Sequence, residues 1–133
     1  MIVLDTSAVI AIFRKEQETD AFLGAIAGNS CAVCTVSVME ISIVARTLRS
    51  LEADATERWL DSFIDEMGIR VQSADDKVLS LARQAHLAFG KGTGHPAQLN
   101  FGDCFSYALA RSLNAPLLYK GADFARTDIR SAL

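Results

Sequence analysis

The sequence predicts an α/β protein, a three-layer α/β/α sandwich around a central parallel sheet. Three observations carry that expectation. Short β-rich apolar runs alternate with longer segments at helical spacing along the chain. The 133 residues contain no repeat, low-complexity tract or linker, so they read as a single domain, 1–133, with one sizeable core. Half of the residues are apolar and 22% are charged, a balance that excludes a disordered chain.

Taken in order, Ile2–Leu4 is the first strand. Ser7–Phe13 opens a helix that the polar run Arg14–Glu18 ends. Glu18–Ala27 is helical, with Phe22, Leu23 and Ile26 on one face, and Gly28-Asn29 stops it. Cys31–Thr35 is the second strand. Ser37–Leu51 forms a third helix with Met39, Ile43, Val44 and Leu48 at helical spacing, and Ala53–Met67 a fourth with Trp59, Leu60, Phe63 and Ile64 as its buried stripe. Gly68 ends it. Ile69–Val71 is a third strand, and Ser73-x-x-Asp76 reads as a capping box opening a helix through Phe89. Three glycines and Pro96 make Gly90–Asn100 a loop. Phe101–Leu113 is helical, Asn114-Ala115-Pro116 turns, and Leu117–Tyr119 is a fourth strand, with one more turn and a short strand after it.

Four acids stand out against this plan. Asp5 closes the first apolar run, Glu40 sits in an otherwise apolar helical stretch, Asp103 follows Asn100-Phe101-Gly102, and Asp123 follows Gly121-Ala122. Each has an ordinary structural reading. Asp5 can cap a helix, although Thr6 and Ser7 offer two further caps. Glu40 fits a capping box with Ser37, Asp103 suits the first turn of a helix capped by Asn100, and Asp123 suits a turn. Collectively they support another reading. Ligands in parallel sheets bind beyond the carboxyl ends of the strands, and these acids belong at that edge. Carboxylates gathered there call for a hard cation held by oxygen ligands, magnesium or manganese.

Composition narrows the alternatives. A net charge of −3 gives no global footprint for coating nucleic acid, although a bound divalent cation would reverse the potential at an acidic cluster. No apolar stretch approaches the roughly 18 residues of a membrane helix, and the opening Met1-Ile2-Val3-Leu4-Asp5 lacks the basic start of an export signal, so a cytoplasmic protein is expected. Cys31 and Cys34 lie at odd spacing in one strand and point to opposite faces; with Cys104 they read as buried, inert thiols. His86 and His95 are the only histidines and neither stands at a strand end. The loop Gly90–Pro96 follows a helix and does not have Walker A spacing.

Leu4-Asp5-Thr6-Ser7-Ala8, the helical Glu40, Asn100-Phe101-Gly102-Asp103-Cys104 and Lys120-Gly121-Ala122-Asp123-Phe124 together resemble the PIN domain. More narrowly, the chain resembles the VapC-type toxin ribonucleases of bacterial toxin–antitoxin pairs, from Ile2 to Ile129 and in the same order. The resemblance implies a PIN-like sandwich with bound Mg²⁺ or Mn²⁺, metal-dependent hydrolysis of RNA, a homodimer, and inhibition by a cognate antitoxin protein. It implies Asp5 and Asp103 as principal metal ligands, Glu40 completing the cluster directly or through water, Asp123 as the fourth catalytic acid, and Thr6 and Asn100 as supporting hydrogen-bonding residues. Water activated by the cation would attack the phosphorus in line. Arg14, Lys15, Arg46, Arg49, Lys91, Lys120 and Arg126 are the cations available to RNA.

Two other functions remain open on the sequence. A phosphatase of the haloacid-dehalogenase type also has an aspartate after its first strand, but requires a second one two residues on, where Ser7 stands. A non-catalytic interaction module would use the apolar helices to bind a partner.

Overall fold

The computed structural model describes all 133 residues. Four strands, β1 (Ile2–Leu4), β2 (Cys31–Cys34), β3 (Arg70–Gln72) and β4 (Leu117–Leu118), form one parallel sheet in the order β3-β2-β1-β4. Ile2 and Val3 pair with Cys31 and Ala32, while Val3 and Leu4 pair with Leu117 and Leu118. Six helices surround the sheet: α1 (Thr6–Phe13), α2 (Thr19–Ala27), α3 (Thr35–Thr47), α4 (Ala53–Glu66), α5 (Asp76–Phe89) and α6 (Phe101–Ser112). A 3₁₀ turn, Phe124–Arg126, follows β4, and Ser131 makes a parallel bridge to Leu117 in place of the short final strand.

Strand alternation divides the interior into two cores. Val3, Ala32, Cys34 and Leu117 face a layer supplied by α5 and α6, including Val78, Ala82, Cys104, Phe105 and Leu109. Ile2, Leu4, Cys31, Val33 and Leu118 face the other layer, with Val9 and Ile12 of α1, Phe22 and Ile26 of α2, Ile41 of α3, and Leu60 and Phe63 of α4. This is the expected α/β/α sandwich. As the strand period of two requires, Cys31 and Cys34 lie on opposite sides of the sheet, both free and buried. Burial pushes the Cys31 thiol up and the Cys104 thiol up to about 11, leaving both protonated and unreactive.

Three local expectations need correction. Helix α3 starts at Thr35 and buries Ser37, Ile41, Ser42 and Ala45, while Met39 and Ile43 are exposed. The small hydroxyl residues turn inward because they pair there: Ser37 Oγ meets Ser106 Oγ at 3.1 Å, and Ser42 Oγ donates to Glu57. Helix α5 is capped by Asp75, whose Oδ1 accepts from the Val78 amide at 2.9 Å, and not through Ser73. The third strand is shifted one residue onward, with its side chains largely exposed at the sheet edge. No helix is long and apolar enough to cross a membrane.

Candidate metal centre

The centre is assembled on the carboxyl edge of the sheet, above β1. Asp5 is the residue after β1 and the N-cap of α1. Its Oδ2 accepts from the Ser7 amide at 2.9 Å and from the Ser7 hydroxyl at 2.6 Å. Asp5 is therefore the helix cap after all, because its short carboxylate reaches the second helical amide, while Thr6 and Ser7 are already inside the helix. Capping occupies only one oxygen. Oδ1 is buried without a hydrogen-bond partner, in a residue only 2% exposed. A carboxylate oxygen in that state is costly unless a cation meets it.

Ser7 is a supporting residue that the sequence reading missed. Its hydroxyl donates to Asp5 and accepts the Lys120 amide at 2.9 Å, tying the ends of β1 and β4 together. Its proximity in the Asp5-Thr6-Ser7 run was the available signal. The same bond answers the phosphatase alternative: the position that would need a second aspartate holds a hydroxyl committed to orienting the first.

Glu40 lies on the second turn of α3. With the helix starting at Thr35, Ser37 is interior and bonded to Ser106, so the Ser37-Glu40 capping box does not form. The Glu40 carboxyl is half-buried and packs against Gly102 of α6. Burial pushes it above the usual carboxylate range, the Thr6 hydroxyl opposes that, and the Asp5 charge adds to it. Thr6 is itself buried and its Oγ1 makes no fully formed hydrogen bond.

Asp103 is the third residue of α6. Asn100 and Asp103 form a reciprocal capping box: Asn100 Oδ1 accepts the Asp103 amide at 2.9 Å, and Asp103 Oδ2 accepts the Asn100 amide at 3.0 Å. The ordinary reading of this pair is correct, and the chemical one survives beside it. Burial pushes the Asp103 carboxyl up to about 7; the Asn100 amide opposes that, and the charges of Asp5, Glu40 and Asp123 raise it further. The other three predicted acids thus act electrically on this one carboxyl. Asp123 is the outlying member, exposed at the start of the 3₁₀ turn, and its side chain makes no cap.

The acids gather without closing into a cage, since no three His, Cys, Asp or Glu side chains approach closely enough to share one ion. Convergence of Asp5, Glu40 and Asp103 on one point is thus met only as a neighbourhood. Magnesium typically takes one or two carboxylates and keeps several waters, so two ligands suffice for it. The all-oxygen donor set and the unpartnered Asp5 Oδ1 fit such an ion.

Among the expected RNA-facing cations, several are already engaged. Lys120 pairs with Glu16 at 2.6 Å and Glu18 at 3.2 Å, Arg46 with Glu57 at 3.0 Å, and Arg126 donates to the Pro96 carbonyl. Of the histidines, His95 Nδ1 accepts the Ala97 amide at 3.0 Å, a structural role.

Fold and site together define a class, a parallel α/β sandwich whose polar centre is made of carboxylates above the first strand. The PIN domain profile matches residues 2–130, and the chain belongs to the PIN domain family. It is 42% identical to Ribonuclease VapC28 of Mycobacterium tuberculosis over 133 residues, covering 99% of this chain and 98% of that protein. It is 37% identical to Ribonuclease VapC of Mycolicibacterium smegmatis over 129 residues, 96% and 97% of the two chains. In three dimensions it resembles VapBC2 from Rickettsia felis bound to a DNA fragment from their promoter, with a TM-score of 0.76 at 16% identity, over 98% of this chain and 96% of that one.

Proposed function

We propose that this centre hydrolyses RNA phosphodiester bonds with Mg²⁺ or Mn²⁺, and that the chain is the endoribonuclease toxin of a toxin–antitoxin pair. The observation that carries the chemistry is the buried, unpartnered Asp5 Oδ1 beside an Asp103 carboxyl pushed up to about 7 by burial and like charge. Asp5 and Asp103 would hold the cation, with Glu40 completing the shell through water. When bound, the cation lowers the pKa of the attacking water and neutralises charge on the phosphate. Glu40, half-buried and raised in pKa, is placed to accept a proton from that water. Ser7 and Asn100 fix the carboxyls of Asp5 and Asp103, the buried and unpartnered Thr6 hydroxyl would donate to Glu40 once the shell is filled, and Asp123 adds negative charge at the mouth.

The ribonuclease names of full-length relatives support the substrate class, and the VapBC assembly among the structural neighbours supports an antitoxin as partner. A homodimer and a cytoplasmic location complete the proposal. Two surfaces are available to protein partners: an apolar one of Met39, Ile43 and Phe101 beside the centre, and a mixed cleft where Phe13, Leu48, Leu51 and Trp59 stand with Arg14, Lys15 and Ser50.

The test uses the purified chain, free of antitoxin, on RNA. Cleavage is expected with Mg²⁺ or Mn²⁺, none in EDTA, and none with Asp103→Asn, which keeps the Asn100 cap but loses the charge. Cleavage by that variant, or by the parent chain in EDTA, overturns the proposal.

A further inference from the structure

Gly102 is a glycine whose backbone does not require one. Its φ is not among the positive values, which fall at Gly68, Gly92, Gly94 and Gly121. It lies buried in the first turn of α6, where glycine costs helix stability relative to alanine. What it excludes is a side chain. A Cβ built there would stand 2.5 Å from Oε1 and 2.6 Å from Cδ of Glu40, and closer still to Oε2; its three nearest neighbours are all atoms of that one carboxyl.

Building on the metal-centre reading, we infer that Gly102 is a positioning residue, its missing Cβ being the space that seats the Glu40 carboxylate next to Asp103. The obstructed group is the free end of a flexible side chain, so alanine at 102 displaces the carboxylate and leaves the helices where they are. Gly90 supplies the contrast. There the added Cβ would stand 2.5 Å from the His86 backbone oxygen as well as against the His86 ring, so the fold itself must yield. One glycine protects a functional group and the other the end of its own helix, α5.

The experiment measures Mn²⁺ affinity by electron paramagnetic resonance, and melting temperature in EDTA, on the whole chain. Gly102→Ala should weaken Mn²⁺ binding by about tenfold or more, the scale of losing a group that orients a metal ligand, while melting at or above the parent temperature. In a Glu40→Ala background the same substitution should change affinity by less than about twofold, since the carboxylate it displaces is gone. Gly90→Ala should do the reverse, melting lower with Mn²⁺ affinity retained in the folded fraction. Unchanged Mn²⁺ affinity in Gly102→Ala, an equal loss in the Glu40→Ala background, or a lowered melting temperature for Gly102→Ala would overturn the inference. A parent chain that binds no Mn²⁺ overturns it together with the metal reading. Mn²⁺ binding with the expected coupling but no RNA cleavage leaves the inference standing and removes only the nuclease proposal.

Discussion

Two groups of carboxylates meet Lys120, one through its ammonium and one through its backbone amide, and Glu16 and Asp103 shift in opposite directions because only the first group has a cation of its own. Glu16 and Glu18 face the Lys120 ammonium at 2.6 Å and 3.2 Å. The Lys120 hydrogen bond holds the Glu16 carboxyl below its usual range, and Glu16 in turn raises the Lys120 amine. Across the Lys120 amide, which reaches Asp5 through Ser7, the other group has only like-charged neighbours, and Asp103 is pushed up to about 7. Lys120 thus supplies the centre with a backbone donor and gives its charge elsewhere. Carboxylates with a resident ammonium are neutralised on folding, whereas those of the centre are left without a counter-charge of their own, as the proposed cation site requires.

The contrast breaks most completely if the charge of Asp5 is removed. Asp5→Asn keeps the helix cap, since asparagine caps as well as aspartate. Orienting partners of metal ligands are worth about 10–100-fold, so losing this ligand should lower metal-dependent RNA cleavage by at least ~100-fold, measured as initial rates on a labelled RNA. Next in size is the response to metal itself. Mn²⁺ at 100 times its Kd should stabilise the chain by about 2.7 kcal/mol, read as a rise in melting temperature that EDTA reverses. If Mn²⁺ raised the melting of Asp5→Asn equally, the ion would be binding elsewhere.

The third effect is a pH dependence of opposite sign in the two groups. A carboxyl raised in the folded chain, as Asp103 is from 3.8 to about 7, contributes stability that is full below its unfolded value and is lost as pH rises through the folded one. In EDTA the parent should therefore lose stability between about pH 4 and pH 7 relative to Asp103→Asn, and urea melts across that window would show it. Mn²⁺ should cancel the difference, because deprotonated ligands bind it. Glu16, being lowered, contributes stability above its unfolded value and loses it only as pH falls into the acid range. The smallest effect is expected from Lys120→Met, which removes a partly exposed pair of little energetic weight but leaves the Lys120 amide and the Mn²⁺-induced rise in melting temperature in place.

Asp5 and Asp103 were readable from sequence because their positions follow from local rules: a polar residue after a buried strand, and a reciprocal cap three residues apart. The alternation of Cys31 and Cys34 across the sheet was readable for the same reason. Helix α3 was not. Its large apolar residues drew attention to Met39 and Ile43, which are exposed, while the inward face is made of Ser37, Ile41, Ser42 and Ala45. Hydroxyl pairing with Ser106 and Glu57 decides that rotation, and such partners lie 69 and 15 residues away, beyond any periodicity. Glu40 reached the centre for that reason and not as half of a cap. The spacing of the acids was likewise invisible, since they come from elements far apart in the sequence and the packing of α1, α3 and α6 sets their separation.

The reciprocal cap at Asn100 and Asp103 has a consequence for motion. One carboxylate both closes the first turn of α6 and faces the other acids, so anything that engages it also clamps the amides at that helix start. Occupancy of the centre would then be legible as slowed deuterium uptake at residues 100–103, a backbone report of an event carried by side chains.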